Sequence, residues 1–272
     1  MKMSIKNLFP VIAFFFLSFF VASCGGSGTS DGELPLDIPE EEINDPNLDV
    51  KPLEGNAFRV GDLQIVPVEV DSAAVDAVLQ LKPSKATSLN GEQYQFNFEV
   101  SGLSAENSSL GNYHIGLILN NAADTTFSGK TFSMEFEEGD YQLLAFLADS
   151  TGKSLKSKKS HLIFDFSVGG TAKTTDAKEK MVFITSPVSR VSDSGEGILL
   201  DYLLFNAPLS EEDFHINIHV DDKEFFFFKH QPLRIKGLSK GKHTVTVQIL
   251  DKYGKPLENM KNAISERTFE VK

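Results

Sequence analysis

The chain writes one strand-patterned unit twice, and that duplication restricts the folds open to it more than any other feature. Asp76 to Pro83 aligns with Lys180 to Pro187, and Tyr94 to Val100 with Ile198 to Leu204, both at an offset of 104 residues. Downstream, Tyr113 to Leu117 meets Phe214 to Ile218 at 101, and Glu138 to Tyr141 meets Lys240 to His243 at 102. Ala148 to Lys153 meets Leu250 to Lys255 at that same spacing, and Phe166 to Val168 closes the unit opposite Phe269 to Val271 at 103. So small a drift over so many segments marks two copies of one module.

Each copy reads as strands. Phe214, Ile216, Ile218 and Val220 alternate with His215, Asn217, His219 and Asp221, and Val245, Val247 and Ile249 alternate with Thr244, Thr246 and Gln248. A period of two places the apolar set on one face, the pattern of a half-buried antiparallel strand. Turn chemistry falls between such runs at Asn90-Gly91, Glu138-Gly139, Thr151-Gly152, Lys240-Gly241 and Tyr253-Gly254. No segment sustains helical spacing. A unit of about 95 residues with roughly seven short strands has the size of an immunoglobulin-like sandwich, so the expected fold is all-β, two such sandwiches in tandem.

The segment Leu238 to Gly254, with Gly241, His243-Thr244-Val245-Thr246-Val247 and Asp251 to Gly254, resembles a stretch common in bacterial Ig-like and fibronectin-III-like domains. Phe136 to Gly152, with Gly139, Tyr141 and Asp149 to Gly152, is similar. The resemblance implies that the aromatic after the glycine caps a sheet corner and that the Asp-x-x-Gly closes the following hairpin. It implies architecture only, because this fold does not specify an activity. Leu63 to Val70 has no counterpart in the repeat and is expected as an extra strand on an edge of the first sandwich.

The chain opens differently. Lys2 and Lys6 precede an apolar run from Leu8 to Val21, which ends in Val21-Ala22-Ser23-Cys24. Charge, apolar stretch and small residues in that order are an export signal, and the ending resembles a bacterial lipobox. The resemblance implies that Cys24 becomes the lipid-bearing first residue and that the partner it reaches is a membrane. A spanning helix needs about 20 apolar residues, whereas this run carries Pro10 and Ser18 and meets Gly25-Gly26. Cys24 is the single cysteine, so disulfides hold nothing in the exported part.

From 24 to 56 the sequence is acidic and punctuated by Pro35, Pro39, Pro46 and Pro52. It lacks the apolar surface to offset chain entropy, and is expected as a flexible tether. Ser30-Asp31-Gly32-Glu33 resembles the acidic export tags of surface lipoproteins in the Bacteroidota, which favours the cell surface over the periplasmic face of the outer membrane. The expected layout is therefore a signal peptide at 1–23, the tether at 24–56, a first sandwich with its extra strand at 57–170, a linker at 171–179 and a second sandwich at 180–272.

A formal charge of −12 excludes nucleic acid and electrostatic binding of anionic headgroups. Catalysis needs a nucleophile, a base and an orienting group within reach. No Gly-x-Ser-x-Gly, His-Glu-x-x-His or phosphate-cradling glycine loop occurs, so no enzyme, catalytic residue or cofactor is expected. His215 and His219 share a strand face but stand roughly 13 Å apart, too far for one metal, and no metal residues are assigned. His243 has the parity of Val245 and points toward the core end, where the first unit has Tyr141. Calcium has oxygen donors in Asp221-Asp222 and in the tether carboxylates, without an Asp-x-Asp-x-Asp loop, and such a site is expected at the junction between units.

Phe225-Phe226-Phe227-Phe228 is the unusual run. On a strand, two rings point away from the core if the other two point in. Either a neighbouring unit or loop covers the outer pair, or Phe226 and Phe228 form a partner contact. The function expected is that of a lipid-anchored, non-catalytic binding or scaffold module of the cell envelope, with a protein or glycan partner. Two alternatives stand beside it. A surface glycan-binding accessory of a polysaccharide-uptake system requires paired Tyr or Phe rings on one exposed face. A metal- or ligand-binding periplasmic lipoprotein requires His215, His219 or His230 to converge with partners.

Overall fold

The computed structural model describes residues 51–53, 57–69, 76–82, 87–88, 93–103, 110–122, 124–127, 129–170, 175–257 and 260–272. The leader, Cys24 and nearly all of the tether lie outside them. Among the described residues no helix is long and apolar enough to cross a membrane.

Strands β1 (Lys51–Leu53), β2 (Ala57–Val60) and β3 (Leu63–Pro67) come first. The first copy of the repeat supplies β4 (Val78–Leu81), β5 (Thr87–Ser88), β6 (Gln93–Ser101), β7 (Tyr113–Leu119), β8 (Asp124–Phe127), β9 (Thr131–Glu135), β10 (Gly139–Asp149) and β11 (His161–Val168). The second supplies β12 (Met181–Ser186), β13 (Arg190–Val191), β14 (Ile198–Phe205), β15 (His215–Val220), β16 (Lys223–Phe227), β17 (Leu233–Lys236), β18 (Gly241–Leu250) and β19 (Ile264–Val271).

Both copies fold alike. In the first, β6 pairs with β4, β5 and β9, and a second sheet runs β11-β10-β7-β8. In the second, β12-β14-β17 and β19-β18-β15-β16 repeat that order. Two sheets closing over one core in this order make each copy an immunoglobulin-like, fibronectin-III-like sandwich. The core of the first is packed with rings: Phe96 stacks on Phe132 at 5.0 Å, and Phe136 meets Phe166 edge-on at 4.9 Å. Phe132 in turn stacks on Phe98. The second core is mostly aliphatic, with Ile216, Ile218, Val245, Val247 and Ile249 fully buried, as their alternation predicted.

The extra strand corrects the expected layout. Leu63–Pro67 adds to the second sandwich, pairing antiparallel with β17 through Ile65↔Ile235, and the whole sheet becomes β1-β2-β3-β17-β14-β12. The reason is apolar fit. Ile65 and Val60 are buried in the second core, and Phe58 meets Phe227 edge-to-face at 5.0 Å. The chain thus builds an edge of the second sandwich, leaves to make the whole first one, and returns to finish the second.

The copies also differ beside their last strands. After the turn at Pro187, β13 crosses to pair in parallel with β19, whereas β5 stays with β6.

Candidate functional site

Three groups of polar or exposed aromatic residues stand out from the two cores. The first is the pair of sheet corners. Tyr141 donates its hydroxyl to the Glu137 carbonyl at 2.9 Å, and His243 places Nε2 2.8 Å from the Ser239 carbonyl. Each is the third residue of its strand and reaches back four residues, so histidine substitutes for tyrosine in one corner design. His243 Nδ1 lies 2.7 Å from Asp221 Oδ2. Burial pulls its pKa down, but the bonds to Asp221 and Ser239 outweigh that and raise it. The hairpins correspond equally well. Asp149 Oδ1 accepts from the amides of Thr151 and Lys153, and Asp251 Oδ1 from those of Tyr253 and Lys255.

The second is the joint between the sandwiches. On β10, Leu143, Ala145 and Leu147 point into the first core, while Leu144, Phe146 and Ala148 point out. Those outward residues, with Ile118 of β7, pack against Met181 and Phe183 of β12 and Leu203 of β14. Gly116 stands opposite Phe146 in register. A Cβ on Gly116 would come within 2.2 Å of the Phe146 ring, so the missing side chain makes room for it.

Asp201 sits on that apolar face with no exposure. Its Oδ2 accepts from the amide and hydroxyl of Ser154 and from Thr185, and Lys156 Nζ reaches its Oδ1 at 2.5 Å. Lys156 also donates to the Tyr202 carbonyl and to Ser154 Oγ. Burial lowers the Lys156 pKa and Asp201 opposes the shift. His161 and His230 flank the pair, both pushed down to about 4, first by burial and then by the Lys156 ammonium. Asn121 completes the joint, donating to the carbonyls of Val182 and Ile264 and accepting from Ser265.

The third is the outer face of the sheet ending in β16. Phe225 and Phe227 are buried; Phe226 and Phe228 are 44% and 40% exposed. The strand stops at Phe227, and the Phe228 ring packs edge-on against His215 at 4.6 Å. Of the two readings of this run, a covered pair and an open pair, the structure places the rings open. In register with Phe226 across the sheet lie Asn217 and then Gln248. Asn217 Nδ2 donates to Glu224 at 2.7 Å and lies 3.1 Å from His219 Nε2, while its Oδ1 is buried without a partner. An unmet acceptor of this kind costs about 1–3 kcal/mol.

The other sequence candidates go separate ways. His219 joins Asn217 and Glu224, His215 joins Phe228, and His230 bonds the Tyr202 carbonyl at the joint. Among the described residues no three His, Cys, Asp or Glu side chains group as metal ligands. Asp201 at the junction is held by Lys156, while Asp221 serves His243 and the Thr244 amide.

Sequence reasoning missed the joint, although a signal existed. Leu143 to Ala148, Met181 to Ile184 and Ile198 to Phe205 are continuous apolar runs, with Asp201 the one charged residue among them. Continuous runs belong to strands buried on both faces, and these are β10, β12 and β14, which meet there.

No family model matches the chain, nor does any curated protein. Solved structures similar to it include the fibronectin(III)-like modules of CbhA from Clostridium thermocellum, at 13% identity and a TM-score of 0.25, over 71% of this chain and 93% of that one. The two-domain fibronectin type-III segment of chicken tenascin aligns at 8% identity and a TM-score of 0.21, over 70% and 97%. The Bacteroides ovatus protein SGBP-B of a mixed-linkage glucan utilization locus, in complex with a mixed-linkage heptasaccharide, aligns at 14% and 0.20, over 67% and 42%. The fold assignment rests on the strand order described above.

Proposed function

We propose that this chain is a lipid-anchored cell-envelope protein that acts as a non-catalytic binding or scaffold module, held to the outer membrane through Cys24 and facing the cell surface. The observation that carries the binding role is the open pair Phe226 and Phe228, fixed outward by the burial of Phe225 and Phe227. Large apolar patches on a folded protein mark contact surfaces, and two neighbouring exposed rings supply the apolar part of one. The lowered pKa values of Lys156, His161 and His230 support a structural rather than catalytic use, because these groups stand in the joint, where Lys156 bonds Asp201 and His230 bonds the Tyr202 carbonyl. The anchor is supported by the Val21-Ala22-Ser23-Cys24 signature.

Two measurements test the two halves of this reading. Metabolic labelling with a fatty-acid analogue should mark the wild-type chain, and Cys24→Ser should lose the label and leave the membrane fraction; label on the variant would sink the anchor. Protease added to intact cells should remove a tag placed after Lys272 while a periplasmic control survives. Protection until the outer membrane is opened would overturn the outward orientation.

A further inference from the structure

We infer that the outer face of the second sandwich, from Phe226 and Phe228 across Asn217 to Gln248, is a binding site for a neutral glycan chain. The inference rests on the binding-module reading above and names the ligand class. A pyranose ring presents both C–H faces and hydroxyls, and so requires apolar flats beside uncharged donors and acceptors. This face supplies both. Phe226, the last outward residue of β16, and Phe228, just past its end, lie two residues apart and are both exposed. Asn217 and Gln248 follow Phe226 in register across β15 and β18, and Thr246 follows His219. On β19, Ile264 lies opposite Gln248, Glu266 opposite Thr246 and Thr268 opposite Thr244.

Asn217 supplies the independent sign of a ligand. Its amide nitrogen is committed to Glu224 and lies beside His219, which leaves Oδ1 as the buried acceptor without a partner. As placed that oxygen is covered, so a ligand hydroxyl supplies the missing donor only when the Asn217 side chain turns outward.

Charge selects among occupants. Glu270 is paired with Arg190 and lies opposite Lys242, whereas Glu224 and Glu266 stand on outward positions of β16 and β19. They repel a polyanion, and a second copy docked face to face would set carboxylate against carboxylate. A neutral chain meets neither penalty.

The test is calorimetric titration of the full-length protein in detergent with neutral cellohexaose, xylohexaose and mannohexaose, and with oligogalacturonate as the anionic control. At least one neutral hexaose is expected to bind, with Kd raised at least tenfold by Phe226→Ser or Phe228→Ser. Val188→Ser, at an exposed apolar position in the turn between β12 and β13, leaves Kd unchanged. Equal thermal unfolding of the variants separates a lost site from a lost fold. Binding of none of the neutral hexaoses, or binding indifferent to both Phe variants, overturns the inference. A dimer of the wild type that Phe226→Ser dissociates also overturns it, in favour of a self-interface. If instead a purified crosslinked protein partner is lost on Phe226→Ser while no glycan binds, the glycan assignment fails and the binding-module reading survives. Loss of neither ligand defeats both.

Discussion

Lys156 and Asp201 meet across the seam between the two sandwiches, Nζ to Oδ1 at 2.5 Å, with the carboxylate side chain wholly buried. Each partner comes from a different copy of the repeat, so the ion pair exists only when the copies are docked. Burial makes such a pair sensitive to the loss of one member, since the charge left behind is neither hydrated nor paired.

Removing one side should therefore be far worse than removing both. Lys156→Met should cost about 3–5 kcal/mol, whereas Lys156→Met with Asp201→Leu should come within about 1 kcal/mol of wild type or exceed it. Urea unfolding of the two variants gives the comparison. A double variant as unstable as the single one would mean that the hydrogen bonds from Ser154 and Thr185, rather than the charge, hold the joint.

The joint should also weaken in mild acid. His161 and His230 have folded pKa values of about 4, against about 6.5 in an unfolded chain. Between those values the unfolded state binds protons that the native state does not, so stability is full above about pH 6.5 and falls as the pH drops toward 4. The ceiling is about 3 kcal/mol per histidine, and less for the two together because each charge opposes the other. His161→Gln with His230→Gln should remove that slope, measured as the change in unfolding midpoint between pH 7 and pH 4.5. Identical slopes in wild type and variant would reject the assignment.

His243 runs the other way. Its raised pKa means that the bond to Asp221 stabilises the corner below the unfolded value and loses that contribution as pH rises through the folded value. His243→Tyr, which copies Tyr141, should keep the Ser239 contact and abolish the dependence on pH. A thermal scan series from pH 6 to pH 9 reads the difference.

Gly116→Ala should push the Phe146 ring out of its place between the sandwiches, at a cost of about 1–3 kcal/mol for overpacking. Adding Phe146→Leu should recover most of it. If the alanine variant unfolds at wild-type denaturant concentrations, Phe146 has another position open to it and the joint is looser than its burial indicates.

The crossing of the chain has its own consequence. Ile65 lies in the second core although it precedes the entire first sandwich. Ile65→Ala should destabilise the molecule by about 2–5 kcal/mol, and a fragment limited to 180–272 should be less stable than one in which 57–69 is supplied as well. Equal stability of the two fragments would show β3 to be dispensable.

How much of this was legible follows from the range of the forces involved. The strands, the duplication and the corners were readable from residue order alone. Alternation such as Phe214 to Val220 encodes which side of a strand faces apolar surroundings, and Asp149 and Asp251 shape their turns through bonds two to four residues away. These are local relationships, written within a few residues. The parity that buries Phe225 and Phe227 was legible too, but whether anything covers Phe226 and Phe228 was not, because it depends on a surface contributed by other segments. Packing of the whole fold settles that those rings stay exposed, that Leu63–Pro67 joins the second sandwich, and that Lys156 of one copy faces Asp201 of the other. Continuous apolar runs announce a second buried face without naming what buries it. That choice depends on shape and on the pairing of a buried charge, which residues far apart in the chain settle only when they are brought together.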